Sequence, residues 1–318
     1  MPQSEERKRV AILIFQGVQI IDYTAPWEVF GQAGFEVFTV AETKQPITTS
    51  MGMSVNPQYT LDDHPRPEVV VLPGGEVPSH NSKPQIIAWI QQQARQAEVV
   101  LSVCNGAYFL AKAGLLDGLE ATTFASLIPG LQAAAPKARV VSNKRYVDNG
   151  KIITSAGLSS GIDASLHVVE KLRGKGRAQM AAINLEYNWD REGKFVRAAL
   201  ADKHMRAIID FLRGFSPKVL SHEGGTDSWT TQWSMHSDLS ANAMLSSLNE
   251  HLAASAKWSR LSANQTNGAL QSTWKFSDNE GKNWHGTASV QSMTEEKNKL
   301  WVSVEISREG KSASAQRQ

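Results

Sequence analysis

Apolar runs rich in Val, Ile and Leu recur along the first half of the chain, at Arg9 to Phe15, Gly34 to Val40, Val69 to Leu72, Glu98 to Val103, Arg139 to Val141 and Lys151 to Thr154. Short runs of this kind match strands buried on both faces. Between them, apolar residues recur at helical spacing near Pro26 to Ala33 and over Lys83 to Ala97, Gly106 to Leu116 and Gly161 to Lys171. Strands therefore alternate with helices, which predicts an α/β domain with a flavodoxin-like, doubly wound, mostly parallel sheet. Ligands of such sheets bind outside the carboxyl ends of the strands. Three of the runs end there in Gly74-Gly75, Cys104-Asn105-Gly106 and Ser155-Ala156-Gly157, so these turns are expected to converge on one site.

After about residue 190 the pattern changes. Six of the nine tryptophans, Trp229, Trp233, Trp258, Trp274, Trp284 and Trp301, lie in the last third. Lys194 to Arg213 reads as one amphipathic helix, with Val196, Ala199, Leu200, Ile208, Ile209 and Leu212 as its apolar positions, and Gly214 to Gly225 as a linker. Strand-like alternation follows at Trp229 to Met235, Leu270 to Phe276, Trp284 to Val290 and Leu300 to Ile306, with a helix over Ala241 to Ala256. The order β-α-β-β-β predicts a smaller α+β domain, with the tryptophans read as core or interface rather than as a ligand cleft. The expected organisation is an α/β domain over 1–193, a connecting helix and linker over 194–225, a Trp-rich α+β domain over 226–308 and a disordered tail over 309–318.

Composition narrows the function classes. The chain has 318 residues, enough for two domains, with 41% hydrophobic and 20% charged residues and a formal charge of +2. No apolar run approaches the roughly 18 to 20 residues that span a bilayer, and the start lacks a signal-peptide pattern. The single cysteine excludes an internal disulfide or a cysteine-based metal site and fits a reducing, cytoplasmic setting. Scattered Lys and Arg argue against nucleic acid as a partner. No metal-ligand spacing and no phosphate-binding glycine loop is present, so neither a metal nor a cofactor is expected.

The remaining chemistry centres on Cys104. In EVVLSVCNGAYFLAKAGLL an apolar strand runs into the cysteine and a glycine-permitted turn opens a helix, the context of a nucleophile elbow. Unpaired N–H groups at a helix start favour thiolate, so a lowered thiol pKa is expected. Backbone N–H groups at Asn105 and the Gly74-Gly75 turn are candidates to hold an oxyanion. A buried, inert cysteine is the alternative, because free cysteine is among the most buried residue types. His80, after the Gly-Gly turn, and Phe124 are candidate pocket residues, although a loop histidine is more often simply solvated.

The motifs GVQIIDYTAPWEVF, VVVLPGGE, SVCNGAYFLAKAGLLDGLEATT, TSAGLSSGIDASLHVVEKL and AAINLEYNW occur in this order over residues 9–190. Together they resemble the ThiJ/PfpI superfamily within the class I glutamine amidotransferase-like fold, and most closely its isonitrile hydratase-like branch. The resemblance implies that Cys104 is the elbow cysteine and that Asp22 sits where the family keeps an acidic side chain near the sulfur, as proton donor or general base. A solvated or helix-capping aspartate is the alternative. The resemblance also implies a homodimer. Two features depart from many relatives: Asn105 stands where protease-like members carry histidine, and Phe124 stands where others carry a second one. Without histidine, peptide hydrolysis lacks a proton shuttle for the leaving amine. The expected function is a cysteine-dependent hydratase, hydrolase or lyase on a small electrophile of isonitrile or α-oxoaldehyde type. A catalytically silent redox or metabolite sensor ranks second and a DNA-binding regulator third.

Overall fold

The computed structural model describes residues 7–310 except 194–195, 256, 267–268, 294–295 and 297. The chain divides into two compact units, Met1–Ala198 and Ala199–Gln318.

The first unit is built on a seven-stranded sheet. In sheet order its strands are Tyr146–Asp148, Ile152–Ser155, Val99–Val103, Val69–Leu72, Arg9–Leu13, Glu36–Ala41 and Tyr59–Thr60. All neighbours pair in parallel except Tyr146–Asp148 with Ile152–Ser155. Every residue of Val69–Leu72, Val99–Val103 and Ile152–Ser155 is buried, which is why these segments read as mostly apolar runs without alternation, with Ser102, Thr154 and Ser155 as buried polar exceptions. Helices Ile20–Gln32, Pro84–Gln96 and Ala107–Lys112 lie between the sheet's strands, and Ser159–Arg173 follows the last of them, Ile152–Ser155. This is the doubly wound, mostly parallel architecture.

Two local expectations for this unit differ from the structure. Arg139–Val140 does not join the main sheet but pairs in parallel with Glu120–Ala121 in a separate two-stranded sheet. The first helix begins at Ile20 and runs through Pro26 instead of starting there. The proline ring removes one backbone hydrogen bond, and burial of Tyr23, Pro26, Val29 and Phe30 on the helix's inner face offsets that loss. Asp22 is thereby carried into the first helical turn.

The second unit is a six-stranded antiparallel sheet with Ala241–Ala254 packed on one face. Its order is Lys218–Gly224, Ser228–His236, Lys299–Arg308, Asn283–Ser292, Ala269–Ser277 and Trp258–Thr266. Trp229, Trp233, Trp258, Trp274 and Trp284 pack in its core with Met244, Leu245, Leu248 and Leu252 of the helix. The two strands that the alternation did not reveal, Lys218–Gly224 and Trp258–Thr266, are the two sheet edges. Lys218–Gly224 has no buried residue, so it carries no apolar-in, polar-out signal. The segment expected as a linker is thus largely a strand. The stretch expected as one helix is broken into short turns, Arg197–Ala199 and Ala201–Met205, before Arg206–Leu212. Its apolar residues Ala201, Met205, Ile208 and Leu212 belong to the second core. Most of the expected tail, from residue 311 onward, lies outside the described residues.

Candidate active site

The fully buried strand Val99–Val103 delivers the chain to Cys104, whose φ of 57° is in the left-handed region that a side chain rarely adopts. A 3-10 turn, Cys104–Gly106, leads into the helix Ala107–Lys112. This sharp reversal lifts the side chain from the sheet end and leaves the cysteine partly exposed. Two glycines let neighbouring turns close around it. A Cβ on Gly74 would lie 2.3 Å from Asn105 Oδ1, 2.7 Å from Asp22 Oδ2 and 2.9 Å from Cys104 Cβ. One on Gly157, at φ +93°, would lie 2.5 Å from Cys104 Cβ and 3.0 Å from Sγ. Only residues lacking a side chain can pack this tightly against the cysteine.

Asp22 reaches this point from the first turn of Ile20–Gln32 and is fully buried. Its Oδ2 accepts from the Gly74 N–H at 3.2 Å and its Oδ1 from the Leu158 N–H at 3.0 Å, while the Cys104 thiol donates to the carboxylate. It is therefore neither a solvated nor a helix-capping aspartate. Burial pushes its carboxyl up to about 6, opposed by the two backbone donors and then by the thiol. The thiol is pushed up to about 12, first by burial and then by the charge of Asp22, against a smaller opposing effect of the Asn105 N–H. The two groups are coupled: the Asp22 charge pushes the thiol up, while the thiol's hydrogen bond favours the ionised carboxylate. The expected lowering of the thiol pKa is corrected here: the helix start is short and the sulfur faces a carboxylate in a desolvated site, so burial and like charge outweigh the dipole.

The oxyanion expectation is also corrected in part. The Gly74 N–H is engaged by Asp22, and the Gly75 N–H donates to Asn105 Oδ1 at 2.8 Å. The Asn105 Nδ2 donates back to the Gly75 carbonyl at 2.8 Å, so the Asn105 side chain clamps the Gly-Gly turn to the elbow. The Asn105 backbone N–H faces the sulfur. His80 is buried rather than overhanging the crevice: its Nε2 contacts the Gln16 carbonyl at 3.1 Å, its Nδ1 lies 3.7 Å from Glu42 and its ring packs on Phe15. None of these partners belongs to the Cys104 cluster. Burial lowers its pKa, which suits a neutral packing residue. Phe124 is half-buried and directly follows Thr123, whose hydroxyl donates to the Cys104 carbonyl at 2.8 Å.

Gly157 lies in the Ser-Ala-Gly turn expected at the site and packs against Cys104. Two contributors were not singled out from the sequence, Thr123 and Leu158. Leu158 had no readable signal, because its role depends on backbone placed at φ 50° and ψ −123°, a conformation usually left to glycine. Among the described residues no cluster of three or more His, Cys, Asp or Glu side chains is arranged to hold a metal ion. A surface cavity of about 350 Å³ lies away from the cysteine, lined by Arg145, Tyr146, Asp163 and Trp189 among others. Neither Cys104 nor Asp22, the thiol and buried carboxylate that meet at the sheet end, lines this cavity.

The family model described as DJ-1/PfpI matches residues 8–171. The isonitrile hydratase of Pseudomonas putida is 35% identical over 184 residues, which cover 56% of this chain and 78% of the hydratase. The HTH-type transcriptional regulator GbdR of Pseudomonas aeruginosa is 25% identical over 197 residues, 60% of this chain but only 53% of the regulator. Among solved structures, a THiJ/PfpI family protein from Pseudomonas syringae superposes with a TM-score of 0.58 at 28% identity, covering 67% of this chain and 93% of that one.

Proposed function

The chain belongs to the DJ-1/PfpI family, and from that premise we propose that it is a cysteine-dependent enzyme that adds water to a small electrophile, with Cys104 as nucleophile and Asp22 as proton carrier. The observation that carries this reading is the buried Asp22 carboxylate, fixed by the Gly74 and Leu158 N–H groups, accepting the Cys104 proton. A thiol this basic attacks only if its proton leaves as the new bond forms, and a carboxylate held in place supplies that transfer without a histidine.

With an isonitrile the steps balance as follows. The sulfur bonds to the terminal carbon while its proton passes through Asp22 to that same carbon, giving a thioimidate, R–N=CH–S–Cys104. Water adds to this carbon and nitrogen takes up a proton. The C–S bond then breaks, a formamide departs, and the proton released by the added hydroxyl returns through Asp22 to sulfur. An α-oxoaldehyde offers an equally small electrophilic carbon. The similarity to isonitrile hydratase supports the first substrate class.

A redox sensor requires a readily available thiolate, and burial together with the Asp22 charge pushes the Cys104 thiol up, which weighs against it. A DNA reader in the manner of the regulator relatives would need a helical recognition unit. The described residues after Ala198 instead form an antiparallel sheet with one long helix. We also propose that the protein acts as a homodimer in the cytoplasm; light scattering showing only monomer at micromolar concentration would remove the dimer. No helix among the described residues is long and apolar enough to cross a membrane.

The direct test is consumption of a panel of isonitriles and α-oxoaldehydes by the native protein and by Cys104→Ser. Formamide or hydroxyacid should appear only with the native protein, while Cys104→Ser still binds substrate. If no compound is consumed faster than with Cys104→Ser, the enzyme reading fails.

A further inference from the structure

The second unit carries a groove of about 260 Å³ between its helix and one edge of its sheet, far in sequence from the Cys104 cluster. The helix Ala241–Ala254 contributes Leu245 and Asn249, the strand Ala269–Ser277 contributes Leu270, and the edge strand Trp258–Thr266 contributes Arg260, Ala263 and Gln265. A bulge at Leu261 sets the geometry of that edge. Arg260 pairs with Trp274, but Ser262 pairs with Thr273, so beyond the bulge Ala263 lies opposite Ser272 and Gln265 opposite Leu270. The extra residue brings Arg260 onto the same face as Ala263 and Gln265, the face that looks toward the helix.

At the base of the groove one amide keeps its donors free of protein partners. Asn249 is 8% exposed and its Oδ1 accepts from Ser272 Oγ at 2.7 Å and from Trp274 Nε1 at 3.2 Å. An indole nitrogen only donates, so the atom it meets must be the amide oxygen, and both lone pairs of that oxygen are used. The Asn249 Nδ2 group, with two donors, makes no hydrogen bond among the described residues, although its side chain lines the groove. Arg260, exposed at the groove wall, has no carboxylate partner among the described residues. Arg260 and Asn249 thus stand near the apolar side chains Leu245 and Leu270, in a lining otherwise completed by Ala263 and the polar residues Asn242, Ser246, Gln265 and Gln271. Water solvates both groups, and a carboxylate that displaces it adds a charge-assisted contact while an attached chain covers Leu245 and Leu270.

We propose that this groove binds a small monocarboxylate with a short apolar chain, its carboxylate taken by Arg260 and Asn249 Nδ2 and its chain laid on Leu245 and Leu270. One guanidinium and one amide match the charge and the planar acceptor pair of a carboxylate. The volume, below that of drug-sized pockets, limits the chain to a few carbons.

The test is titration of the full-length protein with hexanoate, followed by calorimetry and by the fluorescence of the native protein, with hexan-1-ol and hexylamine as controls. Hexanoate should bind saturably, and both controls at least about tenfold more weakly, the loss expected for one charge-assisted contact. Arg260→Met, on an exposed side chain that the fold does not need, should weaken hexanoate by at least about tenfold. Asn249→Asp keeps the acceptor for Ser272 and Trp274 while replacing the donors with a negative oxygen, and should weaken it further. Cys104→Ser should leave binding unchanged, which separates this groove from the catalytic cluster. Absence of saturable binding at millimolar hexanoate, equal binding of hexylamine, or indifference to Arg260→Met would overturn the assignment.

Discussion

Asp22→Asn is expected to move two properties of Cys104 in opposite directions. In the native pair the thiol stands at about 12 rather than its ordinary 9.0. Near neutral pH this leaves about a thousandfold less thiolate than an ordinary cysteine holds. The greater nucleophilicity of a more basic sulfur returns only about 20- to 30-fold of that loss. Native Cys104 should therefore react with iodoacetamide some 30- to 50-fold more slowly than a cysteine peptide, by the same two factors. Asp22→Asn removes the charge, the second-largest cause of the shift, and leaves burial, the largest. Alkylation should accelerate, by about tenfold for each pKa unit recovered. Turnover should fall in the same variant, by about 10² to 10⁴-fold, because proton transfer passes from a fixed carboxylate to water. Intact-mass spectrometry reads the alkylation without ambiguity, since the chain has one cysteine; product formation reads the turnover. A native alkylation rate that levels off below about pH 8 would refute the reasoning, because it would place the thiol at or below its unperturbed range. Slower alkylation in Asp22→Asn would refute it equally, because the carboxylate would then be stabilising the thiolate.

Four further outcomes are expected. Asp22, pushed up to about 6, must be ionised to accept the proton, so turnover should be full above about pH 7 and fall about tenfold per unit below 6; a profile flat to pH 5 would exclude it as the base. Its folded pKa lies above the ordinary 3.8, so its contribution to stability is fully present below that value and is lost as pH rises through 6. Denaturation should accordingly show the native protein losing up to about 3 kcal/mol relative to Asp22→Asn between pH 4 and 8. Gly157→Ala brings a methyl group within 2.5 Å of Cys104 Cβ at a left-handed φ, and should cost turnover about a hundredfold with the circular dichroism spectrum retained; undiminished activity would contradict the close approach. A fragment ending at Ala198 should be soluble and cooperative in unfolding, whereas one ending at Phe215 exposes Met205, Ile208 and Leu212, which belong to the second core, and should aggregate; equal solubility would argue against separate cores.

The sequence by itself determined what depends on local burial and periodicity. Val69–Leu72 and Val99–Val103, short, rich in valine and followed by glycine turns, read as strands buried on both faces, and Ser228–His236 and Lys299–Arg308, covered on one face, read as alternating ones. The same runs placed Cys104 and its glycine turns at the carboxyl ends of a parallel sheet. Edge strands escaped because little covers them: Lys218–Gly224 has no buried side chain to set a pattern. What only the tertiary structure decided is the state of the thiol and the partners of its neighbours. The helix start next to Cys104 is visible in the sequence, but the carboxylate that outweighs it comes from 82 residues earlier. Which donors remain for a substrate likewise depends on pairings across the sheet end, where Gly74 meets Asp22 and Gly75 meets Asn105. Electrostatics and hydrogen-bond satisfaction are set by distances between groups remote along the chain, and no local pattern encodes those distances.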